Sequence, residues 1–312
     1  MELYFLGTAA GMPSRERNVT SIILNLLEEK GCFWLFDCGE GTIRQMIDSP
    51  LKLSKLEKVF ITHMHGDHIY GLPGLVTSRS HQGGQSPLTI YGPQGIKEYI
   101  STVLKLSGAQ LEFPLIIEEI SEGVVFRDEE FEVSAGRLDH RVESFGYRIV
   151  ERDRPGRLKA EQLEKMGIPP GSLYGKIKKE KEVQLDDGRI IRSADFVGEQ
   201  IPGRIIAIFG DTRVVDSAVE LARNADVLVH EATYAHELHE RAVKYKHSTA
   251  LEAAQLANKA GVRTLIMTHF SSRYKGEGIR QLLDEARSIH PDTYAAADFW
   301  TYRVNEKTQR KK

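Results

Sequence analysis

One short stretch of the sequence concentrates side chains that bind transition metals. His63, His65, Asp67 and His68 lie within six residues of one another, directly after the apolar residues 59–61. Imidazole and carboxylate groups are zinc ligands, and no cysteine is present in this stretch to complete a purely structural site. In an extended segment His63 and His65 point to the same side, whereas Asp67 and His68 follow a turn. The pattern predicts two ligand pairs, each able to serve one metal ion.

Further candidate ligands stand at the ends of apolar runs that are typical of buried strands. The carboxyl ends of parallel strands meet at one edge of an α/β sheet, where such folds place their sites. The residues expected to converge at this edge are Asp37, His63, Asp211, His230 and His269. Asp37 could bind metal directly, but the favoured role is a hydrogen bond that holds a histidine ring. His140 lies in a loop between predicted strands and becomes a candidate because ligands are still missing.

Composition limits the class of protein. A chain of 312 residues can bury a large core, and its formal charge of −2 gives no general attraction to nucleic acid. Two cysteines, Cys32 and Cys38, are too few for a disulfide framework and predict reduced thiols in a cytoplasmic protein. The first residues have neither the basic region nor the long apolar stretch that would predict a signal peptide or a membrane span. An anionic partner must therefore be met by local positive charge.

The composition of the sequence changes between about residues 152 and 203, and its hydrophobic periodicity is interrupted there. Proline–glycine pairs and a basic run with Lys176, Lys178 and Lys179 interrupt any long periodic pattern. We expect this segment to protrude as an insertion from a single domain spanning residues 1–312. Two interpretations stay open, a solvated surface hairpin or an arm that grips an anionic polymer through phosphate contacts.

The candidate ligands, taken in order, resemble the motif series of the metallo-β-lactamase superfamily. The series is Asp37, then His63, His65, Asp67 and His68, then His140, Asp211 and His269. The resemblance runs from residue 1 to about residue 300. It implies an α/β protein with a four-layer αβ/βα sandwich of two similar halves, from which an arm insertion protrudes.

Three shorter motifs are similar to those of the bacterial ribonuclease Z family, the tRNA 3′-processing endonucleases. Residues 230–233 read His-Glu-Ala-Thr, residues 247–249 read His-Ser-Thr, and residues 13–18 are similar to the family's PxKxRN loop. Arg15 stands at the lysine position of that loop, which keeps the charge but changes the shape of the donor.

The resemblance implies a cofactor, a reaction and partners. It implies two zinc ions per subunit, although manganese, iron or cobalt also suit these donors. One ion would be held by His63, His65 and His140, the other by Asp67, His68 and His269, with Asp211 bridging both. The implied reaction is metal-hydroxide attack on a tRNA precursor, leaving a 3′-hydroxyl on the tRNA and a 5′-phosphate on the trailer. The resemblance also implies a homodimer and a tRNA-binding role for the arm.

Three residues receive catalytic roles. Asp67 is expected to orient or deprotonate the attacking water, and His247 to protonate the leaving oxygen. Because His247 directly precedes a predicted helix, whose N-terminus favours a neutral ring, a proton donor there needs a carboxylate neighbour, for which Glu231 is the candidate. The expected substrate contacts are Arg15, Arg17, Asn18, Lys176, Lys178, Lys179 and Arg273.

Two rival functions remain open on the sequence. A small-molecule hydrolase of the same fold, acting on a thioester, lactone or lactam, would share the ligands but would not need a basic arm. A non-catalytic RNA-binding module would not need an intact ligand set.

Overall fold

The computed structural model describes residues 1–305. These residues form two compact units, one of residues 1–150 with 205–305 and the other of residues 151–204. The strands in the described residues are β1 (Glu2–Gly7), β2 (Ser21–Leu26), β3 (Cys32–Phe36), β4 (Leu56–Phe60), β5 (Leu88–Gly92), β6 (Leu115–Glu119), β7 (Gly123–Arg127), β8 (Phe131–Leu138), β9 (Ser144–Glu151), β10 (Glu182–Gln184), β11 (Ile190–Arg192), β12 (Ile205–Phe209), β13 (Val227–Glu231), β14 (Thr264–Thr268), β15 (Thr293–Ala295) and β16 (Thr301–Arg303).

The helices lie between these strands and include several short ones. They are α1 (Thr42–Ile47), α2 (Gly66–Ile69), α3 (Leu72–His81), α4 (Ile96–Leu106), α5 (Ala160–Lys165), α6 (Ser172–Lys179), α7 (Ser193–Phe196), α8 (Asp216–Ala222), α9 (His239–Tyr245), α10 (Ala250–Lys259) and α11 (Glu277–Arg287). Across residues 1–305, no helix combines the length and apolar character needed to cross a membrane.

Two seven-stranded mixed sheets form the larger unit. The first has the order β16-β1-β2-β3-β4-β5-β6 and the second the order β15-β14-β13-β12-β9-β8-β7. In the first sheet β3, β4, β5 and β6 run parallel, and in the second β12, β13, β14 and β15 do so. The two sheets are therefore similar halves, as the sequence predicts.

Strand β3 shows how the layers are held together. Trp34 and Phe36 join an apolar core that contains side chains of both sheets, whereas Phe33 and Leu35 join the core beneath α1, α3 and α4. This alternation follows from the two-residue period of a strand, and burial on both faces explains the unbroken apolar run. A third core lies under α8, α10 and α11 on the outer face of the second sheet. The predicted four-layer sandwich is confirmed.

Parallel strands deliver the candidate site residues to one end of the sheets. Asp37 directly follows β3, the histidine-rich stretch follows β4, Asp211 follows β12, and His269 follows β14. Gly39 lets the chain after β3 approach this stretch, because a Cβ there would lie 2.3 Å from the carbonyl oxygen of Asp67.

The smaller unit has more internal structure than the surface hairpin considered above. It contains α5, α6, the β10–β11 hairpin and α7 around a small apolar core of its own. A buried ion pair between the first and last residues of this unit joins Glu151 Oε2 to Arg204 Nε at 2.7 Å. The exposed lysines of α6 therefore stand on an ordered helix with Ile177 buried beneath them.

Candidate metal centre and active site

Three histidine nitrogens face one another after β4 and β8. His65 Nδ1 lies 3.1 Å from His63 Nε2 and 3.2 Å from His140 Nε2. Asp211 Oδ2 completes the group, 3.7 Å from His63 Nε2 and 3.9 Å from His140 Nε2. All four ligand atoms lie within 4.8 Å of one another. This group brings together the loop histidine and the ligand pair that the sequence proposed for one ion.

A second group lies on the other side of Asp211. His68 Nε2 and His269 Nε2 lie 3.5 Å and 3.4 Å from Asp67 Oδ2. The same two nitrogens lie 3.5 Å and 3.4 Å from Asp211 Oδ1. Asp211 thus presents one carboxylate oxygen to each group, which is the arrangement expected of a residue that bridges two ions.

Four histidines present Nε2 to the ligand groups, and in each of these Nε2-presenting histidines the other ring nitrogen, Nδ1, has a hydrogen-bond partner. The partners of Nδ1 are Thr62 Oγ1 for His63 at 3.0 Å, Asp37 Oδ2 for His68 at 2.7 Å, the Lys246 carbonyl for His140 at 2.8 Å and Thr233 Oγ1 for His269 at 3.0 Å. Thr62 donates its own proton to Asp37 and Thr233 donates its proton to Glu231. Both hydroxyls must therefore accept from the rings, so in the neutral form of each ring the lone pair lies on Nε2.

The arrangement fits a metal ion on grounds of its own. His68 is 1% exposed, and its Nε2 has no hydrogen-bond partner among the described residues. A buried polar atom left in this state costs free energy, and a cation at the centre of the ligand atoms would satisfy it. Imidazole and carboxylate donors suit zinc and several other divalent metals. The cluster is therefore able to bind metal.

Asp37 holds the ligand stretch in place and belongs to none of the ligand groups. It is 2% exposed and accepts hydrogen bonds from the Thr62 N–H and hydroxyl, both at 2.8 Å, and from His68. Its backbone has a φ of 58°, and His269 has a φ of 57°. Left-handed backbone is strained for such residues and is concentrated at functional sites.

His247 and Glu231 form the pair that the sequence proposed. His247 Nδ1 lies 2.8 Å from Glu231 Oε1, and the His247 and His269 rings stack at 5.5 Å. Burial lowers the pKa of His247, but Glu231, together with the carboxylates of Asp211 and Asp67, outweighs burial and raises this pKa to about 9. Burial raises the pKa of Glu231, whereas His247 lowers it further, so the carboxyl stays ionised. The pair therefore carries a proton at neutral pH.

Asp67 is held as a carboxylate at the edge of the cluster. Burial raises its pKa, but His68 and His269 outweigh burial and hold this pKa far below its usual range. The N–H of Gly11 donates to Asp67 Oδ2 at 2.8 Å. A cavity of about 400 Å³ lies beside this carboxylate, and exposed Met12 and Tyr70 help to line it. Sequence reasoning missed the Gly11 contact, since backbone donors leave no signal in residue types.

The loop of residues 13–18 differs from expectation at two of its three predicted substrate contacts. Arg17 turns inward, where Nη1 donates to Thr8 Oγ1 at 2.6 Å and to the Ala296 carbonyl at 2.7 Å. Its guanidinium also lies over the Phe270 ring, 4.9 Å from the centroid. Asn18 donates its side-chain N–H to the Glu40 carbonyl at 2.8 Å. Nη1 of Arg17 and the side-chain amide of Asn18 therefore help to anchor the loop.

The other predicted substrate contacts are exposed. Arg15 points to solvent, as do Lys176, Lys178 and Lys179 on α6. Arg273 is also exposed and lies over the Tyr234 ring at 5.7 Å, and the His247 ring lies 6.1 Å from the same ring.

His230 does not join the cluster, contrary to the expectation for a histidine near the end of a strand. Its ring is 0% exposed and packs 5.6 Å from the Phe209 ring, with Nδ1 at 2.7 Å from the Glu231 carbonyl. Successive residues of a strand face opposite sides, so Glu231 reaches His247 while His230 points the other way.

Comparisons with known proteins place this geometry in context. The family model described as "Anti-Pycsar protein Apyc1" matches residues 1–146, less than half of the chain. The chain is 53% identical over 304 residues to a ribonuclease Z from Bacillus licheniformis, covering 97% of this chain and 99% of that relative.

Solved structures agree in fold. The short form of human tRNase Z superposes with a TM-score of 0.72 at 31% sequence identity, covering 98% of this chain and 100% of that one. The metallo-β-lactamase fold protein YhfI from Bacillus subtilis superposes with a TM-score of 0.67 at 16% identity, covering 96% and 98%. The latter likeness concerns the fold alone.

Proposed function

The chain belongs to the ribonuclease Z family, and from this premise we propose that it removes the 3′ trailer from tRNA precursors. Family membership makes it a metal-dependent endoribonuclease. The observation that supports the proposal most directly is the position of Asp211, whose two oxygens face two separate ligand groups. Such a centre suits a phosphodiester, because the scissile phosphate is already anionic and gains charge as it reacts.

We assign two zinc ions to each chain. Bound at this centre, two zinc ions would activate a water and neutralise charge on the phosphate. One ion would be held by His63, His65, His140 and Asp211, and the other by Asp67, His68, His269 and Asp211. Thr62, Thr233 and the Lys246 carbonyl support this assignment, since they turn the free ring nitrogens toward the ions.

Two protein groups assist the reaction. Asp67, ionised and fixed by the Gly11 N–H, orients the attacking water, whose proton passes to solvent because a carboxyl with so low a pKa is a weak base. The water oxygen forms the new bond to phosphorus, and the bond from phosphorus to the 3′ oxygen breaks with its electron pair left on that oxygen. His247, kept protonated by Glu231, gives its proton to the 3′ oxygen. The products are a tRNA with a 3′-hydroxyl and a trailer with a 5′-phosphate.

The substrate is proposed to contact exposed positive and aromatic groups. Arg15 and Arg273 would bind phosphates near the centre, and the α6 lysines would bind the phosphate backbone of the tRNA body. Exposed Tyr70, beside the cavity at Asp67, offers a face on which an unpaired base can stack.

Two further features of the proposal have indirect support. The resemblance to the family favours a homodimer. Cys32 and Cys38 are free thiols, which favours a cytoplasmic location.

The test is cleavage of a defined precursor. Purified protein, stripped of metal and resupplied with zinc, is incubated with a 3′-extended tRNA, and both product ends are mapped. The proposal predicts one cut at the start of the trailer, with a 3′-hydroxyl on the tRNA and a 5′-phosphate on the trailer. Scattered cleavage, or turnover of thioesters or lactones without cleavage of the precursor, would contradict it.

A further inference from the structure

Two segments of the larger unit run side by side, and each carries one residue of the proposed centre. Residues 139–141 include the ligand His140, and residues 245–247 include the proton donor His247. The two rings lie 5.0 Å apart, although the residues are more than a hundred positions apart in sequence. The spacing of ligand and proton donor therefore depends on what joins these two segments.

Three contacts join the segments in succession. Lys246 Nζ lies 2.8 Å from Asp139 Oδ1, the Lys246 carbonyl accepts the hydrogen bond of His140 Nδ1, and Arg141 lies over the Tyr245 ring at 4.7 Å. Lys246 Nζ also donates to the His140 carbonyl at 3.3 Å. Asp139 and Arg141, on either side of His140, thus contact Lys246 and Tyr245, the two residues before His247.

Lys246 adopts an unusual backbone conformation at the end of α9. Its φ is 55° and its ψ is 48°, the left-handed region that non-glycine residues rarely occupy. This conformation, together with the hydrogen bond from the His247 N–H to the Ala242 carbonyl at 2.9 Å, fixes the start of the next segment. The side chain of Lys246 stays attached to Asp139 rather than extending into solvent.

Asp139 is tied to a second segment as well. Arg213 Nε contacts its other carboxylate oxygen, and the Arg213 N–H donates to the Asp139 carbonyl at 3.1 Å. Arg213 stands two residues after Asp211. Asp139 therefore connects the segment of the bridging carboxylate to the segment of the proton donor.

We propose that the Asp139–Lys246 ion pair is a positioning clamp that holds the Lys246 carbonyl on His140 Nδ1 and thereby directs His140 Nε2 at the metal. The proposal rests on the proposed function, because it assigns His140 as a ligand. Asp139 and Lys246 act on the site only through the orientation of His140, so they are positioning residues. A partly exposed ion pair contributes little to global stability, and its effect is expected at the site.

Zinc affinity and ring geometry test the clamp. Asp139→Asn keeps the size of the side chain and removes its charge, and Lys246→Met keeps most of the aliphatic length. Lys246→Arg restores the cation. The matched control is Asp216→Asn, which breaks the exposed Asp216–Lys259 pair of 2.9 Å on α8 and α10. Each variant is titrated with zinc against a chromogenic chelator, and kcat and KM are measured separately on precursor tRNA.

The clamp predicts that Asp139→Asn and Lys246→Met each weaken one zinc site, by up to the roughly 10–100-fold that follows outright loss of a ligand's hydrogen-bond partner. The kcat should fall with KM unchanged, and Lys246→Arg should restore both affinity and kcat. Wild-type zinc affinity in Asp139→Asn and Lys246→Met, as in Asp216→Asn, would overturn the proposal.

A metal-free measurement separates this proposal from the proposed function. In the apoprotein, nitrogen NMR of the imidazoles should show His140 protonated on Nδ1 and hydrogen-bonded, and this signal should be lost in Asp139→Asn. An unchanged His140 signal would overturn the clamp even if the enzyme cleaves tRNA. Failure of the wild type to bind zinc, with the NMR result as predicted, would instead overturn only the assignment of the metal centre.

Discussion

The cluster around Asp211 and the basic helix α6 would both meet the RNA, yet they are built by opposite means. His63, His68 and Asp211 are each at most 3% exposed. Every Nε2-presenting histidine of the cluster is also tied to a second group through its other nitrogen. The lysines of α6 are exposed, and the helix contributes Ile177 to a small separate core.

This difference determines how each region should respond to change. In the cluster, removing one partner leaves other buried polar groups unsatisfied, so single substitutions should have large effects that do not add. Each exposed lysine of α6 would interact with RNA phosphates in solvent, where salt screens the attraction. Substitutions there should therefore have small, additive effects that depend on salt. The following predictions sharpen or break this contrast.

The largest effect is expected for Asp211→Ala, which removes the carboxylate that faces both ligand groups. Loss of metal binding should lower the single-turnover cleavage rate by more than about 10⁴-fold, equivalent to several kcal/mol. The measurement is cleavage of precursor tRNA together with zinc content, with exposed Asp284→Asn as the control. A variant that keeps its zinc and most of its rate would show that Asp211 does not bridge.

His247→Ala should slow the chemical step by about 10²–10⁴-fold and leave tRNA binding almost unchanged. Because Glu231 and the neighbouring carboxylates raise the pKa of His247 to about 9, the ring is protonated below that pH. The wild-type rate should therefore fall as pH rises through about 9. The pH–rate profile of His247→Ala should lack this decrease.

Single-turnover rates and binding constants across pH give both quantities for His247→Ala. Exposed His236→Ala serves as the control. Equal losses in rate and in binding would defeat the assignment of His247 as proton donor.

Asp37→Asn should have a smaller effect, a loss of zinc affinity of roughly 10–100-fold. Asparagine tolerates the left-handed backbone at this position and keeps one acceptor oxygen, but it does not attract the His68 N–H with a charge. Asp37→Ala should in addition destabilise the fold by about 1–3 kcal/mol, because the buried Thr62 N–H loses its acceptor. Zinc titration and thermal unfolding separate the two effects, and unchanged zinc affinity in Asp37→Asn would count against Asp37 as a support of the ligands.

The smallest effect per residue is expected on α6. Replacing Lys176, Lys178 and Lys179 by alanine should raise KM for precursor tRNA, leave kcat unchanged and reduce the salt slope by about one for each phosphate that is no longer bound. The control replaces the exposed Lys52, Lys55 and Lys105. Both triple variants should turn over a generic phosphodiester at the wild-type rate. A lower kcat of the α6 triple variant would contradict a role of these lysines in binding alone.

The sequence could predict the sandwich and the meeting of the ligands because both follow from local rules. Apolar runs such as residues 32–36 indicate strands, and like-directed strands bring Asp37, His63, Asp211 and His269 to one end of the sheets. The elements it missed depend on tertiary contacts. Helix α3 begins Leu-Pro-Gly, a weak helix former, and Leu75 and Val76 hold it by packing on the core. Strand β16 exists through its pairing with β1.

Side-chain direction was harder to predict than position. The two-residue period of a strand would have turned His230 away from the cluster, and applying it to β13 would have avoided that error. Arg17 could not be foreseen as an anchor, because its partners Thr8, Phe270 and Ala296 are brought together only by the finished fold. Backbone partners such as the Lys246 carbonyl and the Gly11 N–H leave no trace in residue types.

Anomalous diffraction at the zinc edge tests the central claim most directly. Crystals of the zinc-loaded protein should show two peaks roughly 3.5–4 Å apart, one on each side of Asp211. One peak should lie among His63, His65 and His140, and the other among Asp67, His68 and His269. A single peak, or two peaks that do not share Asp211, would contradict the account.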